Sequence, residues 1–149
     1  MLGLALWLLR FDIARYTVRQ TGLPRFIAVG LLSGYVWLGI AGGLWILFGG
    51  SIAGPFYDAM LHALFLGFVF AMIFAHAPII LPAVLGGTVP YRVDFYGPLA
   101  LLNFSLIVRV CGDLSGLGDV RRWGGLLGAA AVLAFVANTL SIALEARRR

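Results

Sequence analysis

The chain has 149 residues, of which 62% are hydrophobic and only 11% charged. Soluble domains carry about 25% charged residues, and a fold of this size cannot hide so much apolar surface from water. The net charge of +5 comes from eleven arginines and no lysine, but these flank apolar runs as topology signals do and form no basic aromatic surface for nucleic acid.

Met1 to Leu9 is apolar but too short to span a bilayer. It lacks the basic start and cleavage site of a signal peptide. It reads either as an interfacial amphipathic start or as the last turns of a truncated span. Arg10, Arg15, Arg19 and Arg25 follow, with Asp12 as the sole acid among them. A first span is expected over residues 26–48, 23 residues without a charge, or roughly 34 Å of helix. It carries Gly30-x-x-x-Gly34 and Gly39-x-x-x-Gly43, which favour close helix packing. Residues 49–55 make a turn.

A second span is expected over residues 57–81, bent or ended by Pro78 and Pro82. A connector over residues 83–94 holds Gly86, Gly87 and Pro90. The third span is placed at residues 95–114, with Pro98 in its first turn, and residues 112–119 read as a loop. The fourth is placed at residues 123–144, with Trp123 as an interfacial anchor. Asn103, Ser105, Asn138, Thr139 and Ser141 are expected to hydrogen-bond between helices. The fold class is therefore all-α: one membrane domain, a polytopic bundle of about four helices. Arg10, Arg15, Arg19, Arg25, Arg92 and Arg147 to Arg149 fall on one side, against Arg121 and Arg122 on the other. That asymmetry places both termini in the cytoplasm. The single Cys111 excludes an intrachain disulfide.

Chemistry concentrates on the second span. The chain's two histidines, His62 and His76, lie there, fourteen residues apart. At 100° per residue they differ by about 40° and share a face. At 1.5 Å per residue they stand about 21 Å apart, too far for one metal ion but suited to two stacked sites. Neutral imidazole is a good axial ligand for haem iron. Asp58, four residues before His62, is placed to accept the other imidazole N–H. Met72 lies between the histidines and can pack a porphyrin. The plain alternative is ordinary helix packing with each His bonded to a backbone carbonyl. Arg109 reads as a clamp for a haem propionate or substrate anion, or, more simply, as a side chain that snorkels out where the third span ends. No second axial ligand is at hand, because Met60 and Met72 share the histidines' helix. A five-coordinate iron, a second copy, the missing part of a longer chain or another subunit would resolve that shortage.

The run from His62-Ala-Leu-Phe-Leu-Gly-Phe-Val-Phe to Ala-Met-Ile-Phe-Ala-His76-Ala-Pro-Ile-Ile-Leu-Pro82 resembles a motif of NnrS-type membrane proteins. These contain haem and copper and act in nitric-oxide metabolism. The resemblance covers mainly residues 57–85. It implies that His62 and His76 are haem or metal ligands, with haem b the first candidate and copper the second. NnrS-type proteins are longer and richer in histidine, so the resemblance implies a piece of such a protein or a short relative keeping one His-bearing helix. The expected function is a haem-binding protein of the bacterial inner membrane, linked to respiration or nitric oxide, as a homo-oligomer or within a larger complex; catalytic turnover is left open. The alternatives are a non-catalytic subunit that packs by its glycine faces, and a small transporter using Asp58, His62 and Arg109.

Overall fold

The computed structural model describes residues 1–85 and 91–147. The described residues are mostly helical, with no strand among them, and four helical stretches are long and apolar enough to cross a membrane: Leu23–Phe48, Pro55–Ala83, Val93–Ser115 and Gly118–Glu145. The elements are α1 (Leu2–Phe11), α2 (Ala14–Thr17), α3 (Leu23–Phe48), α4 (Pro55–His62), a π-helical segment (Ala63–Phe70), α5 (Ala71–Leu85), a 3₁₀ turn (Val93–Phe95), α6 (Tyr96–Ser115) and α7 (Gly118–Arg147). The expected connector residues Gly86, Gly87 and Pro90 lie outside the described residues.

Three expectations are corrected. Pro78 and Pro82 do not end the second span, because α5 continues through both to Leu85. A membrane helix tolerates proline where neighbouring helices and local adjustments satisfy the freed backbone groups. Residues 112–119 are not a loop. α6 runs to Ser115, stops on Gly116 in the left-handed region (φ 70°), and α7 begins at Gly118. Gly is the natural residue for that reversal. The third correction concerns period. The π segment joins α4 to α5, and its i→i+5 bonds wind more residues into each turn than an α-helix does. The uniform 100° and 1.5 Å per residue used from His62 to His76 therefore do not carry through the π segment.

Small residues decide the contacts. A Cβ on Gly30 would meet Ala75, and one on Gly67 would meet the Trp37 ring at 2.6 Å, so α3 lies directly against the second span. α6 and α7 approach closer still. A Cβ on Gly112 would stand 2.5 Å from the Arg121 backbone nitrogen, and one on Gly124 2.5 Å from that of Arg109. A Cβ on Gly42 would meet Leu2, and one on Gly39 would lie 3.6 Å from Ala5. Residue number thus rises along α1 as it falls along α3. α1 packs antiparallel on the α3 wall.

The middle of the bundle is filled with apolar side chains. Phe26, Phe74, Phe95, Met60, Leu102, Leu106 and Ile142 are fully buried. Phe74 of α5 stacks on Phe135 of α7 at 3.8 Å, and Phe26 meets Tyr96 edge-on at 5.2 Å. Many large apolar residues face outward, among them Trp7, Leu47, Phe65, Ile80, Phe104 and Leu133. In water such a surface would drive aggregation; in a bilayer it is the lipid-facing coat.

Candidate functional site

The polar groups gather at one end of the bundle. Three helix ends meet there: the start of α4, the end of α6 and the start of α7. They carry Asp58 and His62, Arg109 and Asp113, and Arg121, respectively. Arg109 Nη2 donates to Asp58 Oδ2, and Arg109 Nη1 donates to the Arg121 carbonyl at 3.2 Å. Arg121 Nη2 donates to the same Asp58 oxygen at 3.1 Å. Asp113 stands beneath both guanidinium groups, 3.0 Å from Arg121 Nε and 3.4 Å from Arg109 Nε. Its side chain is 0% exposed and that of Arg109 is 16% exposed. The contacts of Asp113 are ion pairs without hydrogen-bond alignment.

Two carboxylates face two guanidinium groups, so the quartet is neutral. That balance is what permits burial, since an unpaired charge in a low-dielectric interior is very costly. Each arginine also holds more than one partner, which ties α4, α6 and α7 together at this end. Arg109 is therefore not a snorkelling side chain. Its guanidinium is engaged by Asp58, Asp113 and the Arg121 carbonyl, so a propionate or substrate anion would compete there with two carboxylates.

His62 borders the quartet. Its Nδ1 lies 2.9 Å from the Asp58 backbone oxygen and 3.4 Å from Asp58 Oδ1. The expected carboxylate–imidazole bond is thus secondary: the main-chain carbonyl is the nearer acceptor, and the arginines hold the other carboxylate oxygen. His76 repeats the arrangement without the charges. Its Nδ1 lies 2.8 Å from the Met72 backbone oxygen. A carbonyl oxygen can only accept, so in both neutral rings the proton sits on Nδ1 and the Nε2 lone pair is free. Both rings are partly buried. The Met72 side chain is used for packing, because its methyl group occupies the space over Gly34 of α3.

The structure therefore brings together Asp58, His62 and Arg109 and leaves His76 and Met72 apart from them. Asp113 and Arg121 are the residues that sequence reasoning missed. The signal was present in part. Arg109 and Asp113 are four apart and so share a helix face, but assigning residues 112–119 to a loop concealed it. Of the groups expected to bond between helices, Asn103 does so, accepting from Trp37 Nε1 at 2.9 Å. Ser105, Thr139 and Ser141 instead donate to carbonyls of their own helices.

Among the described residues no group of three or more His, Cys, Asp or Glu side chains is placed to hold a metal ion. Each histidine could offer its Nε2 as a single ligand, since its Nδ1 is engaged by the main chain. No curated protein and no solved structure matches the chain. A family model matches residues 1–144, nearly the whole length, and the chain belongs to that family, described as Domain of unknown function (DUF8744).

Proposed function

We propose that this multi-pass membrane protein binds haem b through His62 and His76 and serves respiratory or nitric-oxide metabolism in the bacterial inner membrane. The observation that carries the reading is the contact that each ring makes through Nδ1 with the main-chain carbonyl four residues back. Each Nδ1–H is tied to the carbonyl four residues back, and each Nε2 is left as a lone pair inside a membrane helix. Hydrocarbon offers such a nitrogen no partner, and an iron centre does. Intramembrane ionisable residues mark functional sites by default. The π segment between the histidines supports the same reading, since π geometry recurs at functional sites. The resemblance to NnrS-type proteins supplies the identity of the group.

When bound, haem would supply one-electron transfer or the binding of a diatomic gas. The residues of the chain do the rest. The Asp58 and Met72 carbonyls orient the rings and set their tautomer, as outer partners of a ligating His generally do. The buried aromatic layer around Phe74 and Phe135 keeps water from the middle of the bundle. The sequence has no other histidine, so a second histidine ligand would have to come from a second copy or a partner subunit. Copper, the second candidate, needs further ligands from the same sources. The arginine asymmetry supports an orientation with both ends of the four-span bundle cytoplasmic and the charged quartet on the outer side.

The other readings lose support. Gly30 and Gly34 are consumed in contacts within the chain, whereas Gly43 of the other motif faces open space, so the glycine faces point to a partner only in part. A transporter needs a polar path, and the core beyond the quartet is aromatic and aliphatic. The test is an absorption spectrum of protein purified after haem-supplemented expression. A Soret band that shifts on reduction is expected; a colourless preparation removes the proposal.

A further inference from the structure

A groove of about 380 Å³ opens at the end of the bundle opposite the charged quartet, lined by Thr21, Gly22, Arg25, Tyr91, Val93 and Tyr96. It lies where α3 and α6 begin, at the level where a bilayer presents its headgroups. Arg25 can only donate, and the hydroxyls of Thr21, Tyr91 and Tyr96 can donate as well as accept. Arg25 takes part in no ion pair among the described residues, and the nearest acid in sequence to the groove's far wall, Asp94, is engaged by Arg92 at 2.9 Å. The Thr21 hydroxyl makes no hydrogen bond among the described residues. Burial, with the adjoining Tyr96 hydroxyl, holds the Tyr91 phenol above its ordinary value, so it stays protonated and able to donate. The rings of Tyr91 and Tyr96 are fixed from behind by Phe26, at 6.1 and 5.2 Å. Val93, 72% exposed, offers an apolar rim.

One cation, neutral hydroxyl donors and an apolar rim match a group with a single negative charge attached to hydrocarbon. We infer that this groove binds the phosphodiester of an anionic glycerophospholipid, with Arg25 as its cation and the hydroxyls of Tyr91, Tyr96 and Thr21 as its neutral donors. A phosphate dianion would find one countercharge where it needs two. A zwitterionic lipid carries its own cation, which competes with Arg25 for the phosphate. Basic pockets between membrane helices commonly take anionic headgroups in this way. The inference stands apart from the histidines and from haem.

The test is native mass spectrometry of the full chain in mild detergent, titrated separately with phosphatidylglycerol, phosphatidylcholine and inorganic phosphate. Phosphatidylglycerol is expected to bind more tightly than phosphatidylcholine. Arg25→Gln should weaken it about fivefold, the worth of one basic residue at a membrane surface. The double variant Tyr91→Phe with Tyr96→Phe should weaken it too, without changing the fold. Arg122→Gln, an exposed arginine at the other end of the bundle, should leave it unchanged. Equal loss in Arg25→Gln and Arg122→Gln would overturn the site in favour of general charge attraction. Equal binding of the two lipids, or phosphate bound as tightly as phosphatidylglycerol, would overturn the lipid assignment.

Discussion

His62 and His76 share a local geometry and differ in everything around it. Both donate Nδ1–H to the carbonyl of residue i−4 on one continuous helical stretch. His62 adjoins a buried quartet of charges that links three helices. His76 sits in apolar packing, between Ala75 against Gly30 of α3 and Phe74 against Phe135 of α7. Helix geometry alone thus orients each imidazole. The surroundings decide what else depends on it: electrostatics that hold the bundle end together near His62, and plain shape complementarity near His76.

The largest way to break the comparison is at the quartet. Arg109→Ala leaves Asp113 buried with one cation in place of two. Breaking a buried pair in this way costs about 3–5 kcal/mol. Unfolding in mild detergent should show that loss, whereas His76→Ala should fall well short of it. Equal costs would mean that the two regions are not held by different forces. Gly124→Ala comes next. Its methyl group would press on the Arg109 backbone at 2.5 Å, where no side chain can yield. Overpacking typically costs about 1–3 kcal/mol, and this substitution should lie at the upper end and disturb the quartet as well. Gly30→Ala presses on the Ala75 methyl at 2.6 Å and should sit towards the lower end, affecting only the His76 region. The smallest effect is expected from Asn103→Ala, which removes the acceptor for Trp37 Nε1. Interhelical hydrogen bonds in membranes average about 0.6 kcal/mol, so a loss well above about 2 kcal/mol would assign Asn103 a larger role.

Much of the fold was legible because hydropathy acts over whole spans. The uncharged run 26–48 and the turn before Pro55 appear where expected, and Pro98 lies in the first turn of α6. What stayed hidden depends on contacts between residues distant in sequence. Gly112 and Asp113 look like loop residues until Arg121 is known to face them across the Gly116 reversal. Arg109 looks like a span end until Asp58, fifty-one residues earlier, is placed beside it. The π segment leaves no periodic trace, because Ala63–Phe70 is apolar all round, so a change of period moves no polar residue to the wrong face. At the candidate site, the histidines and Asp58 were legible by type and spacing, and their partners were not.

The central claim is that each histidine is a ligand in its own right despite the unlike surroundings. Haem content per chain, measured on wild type, His62→Ala, His76→Ala and the double variant, all verified as folded, tests it most directly. Each single variant is expected to lose part of the haem and the double variant all of it. A double variant that retains the wild-type content would contradict the account.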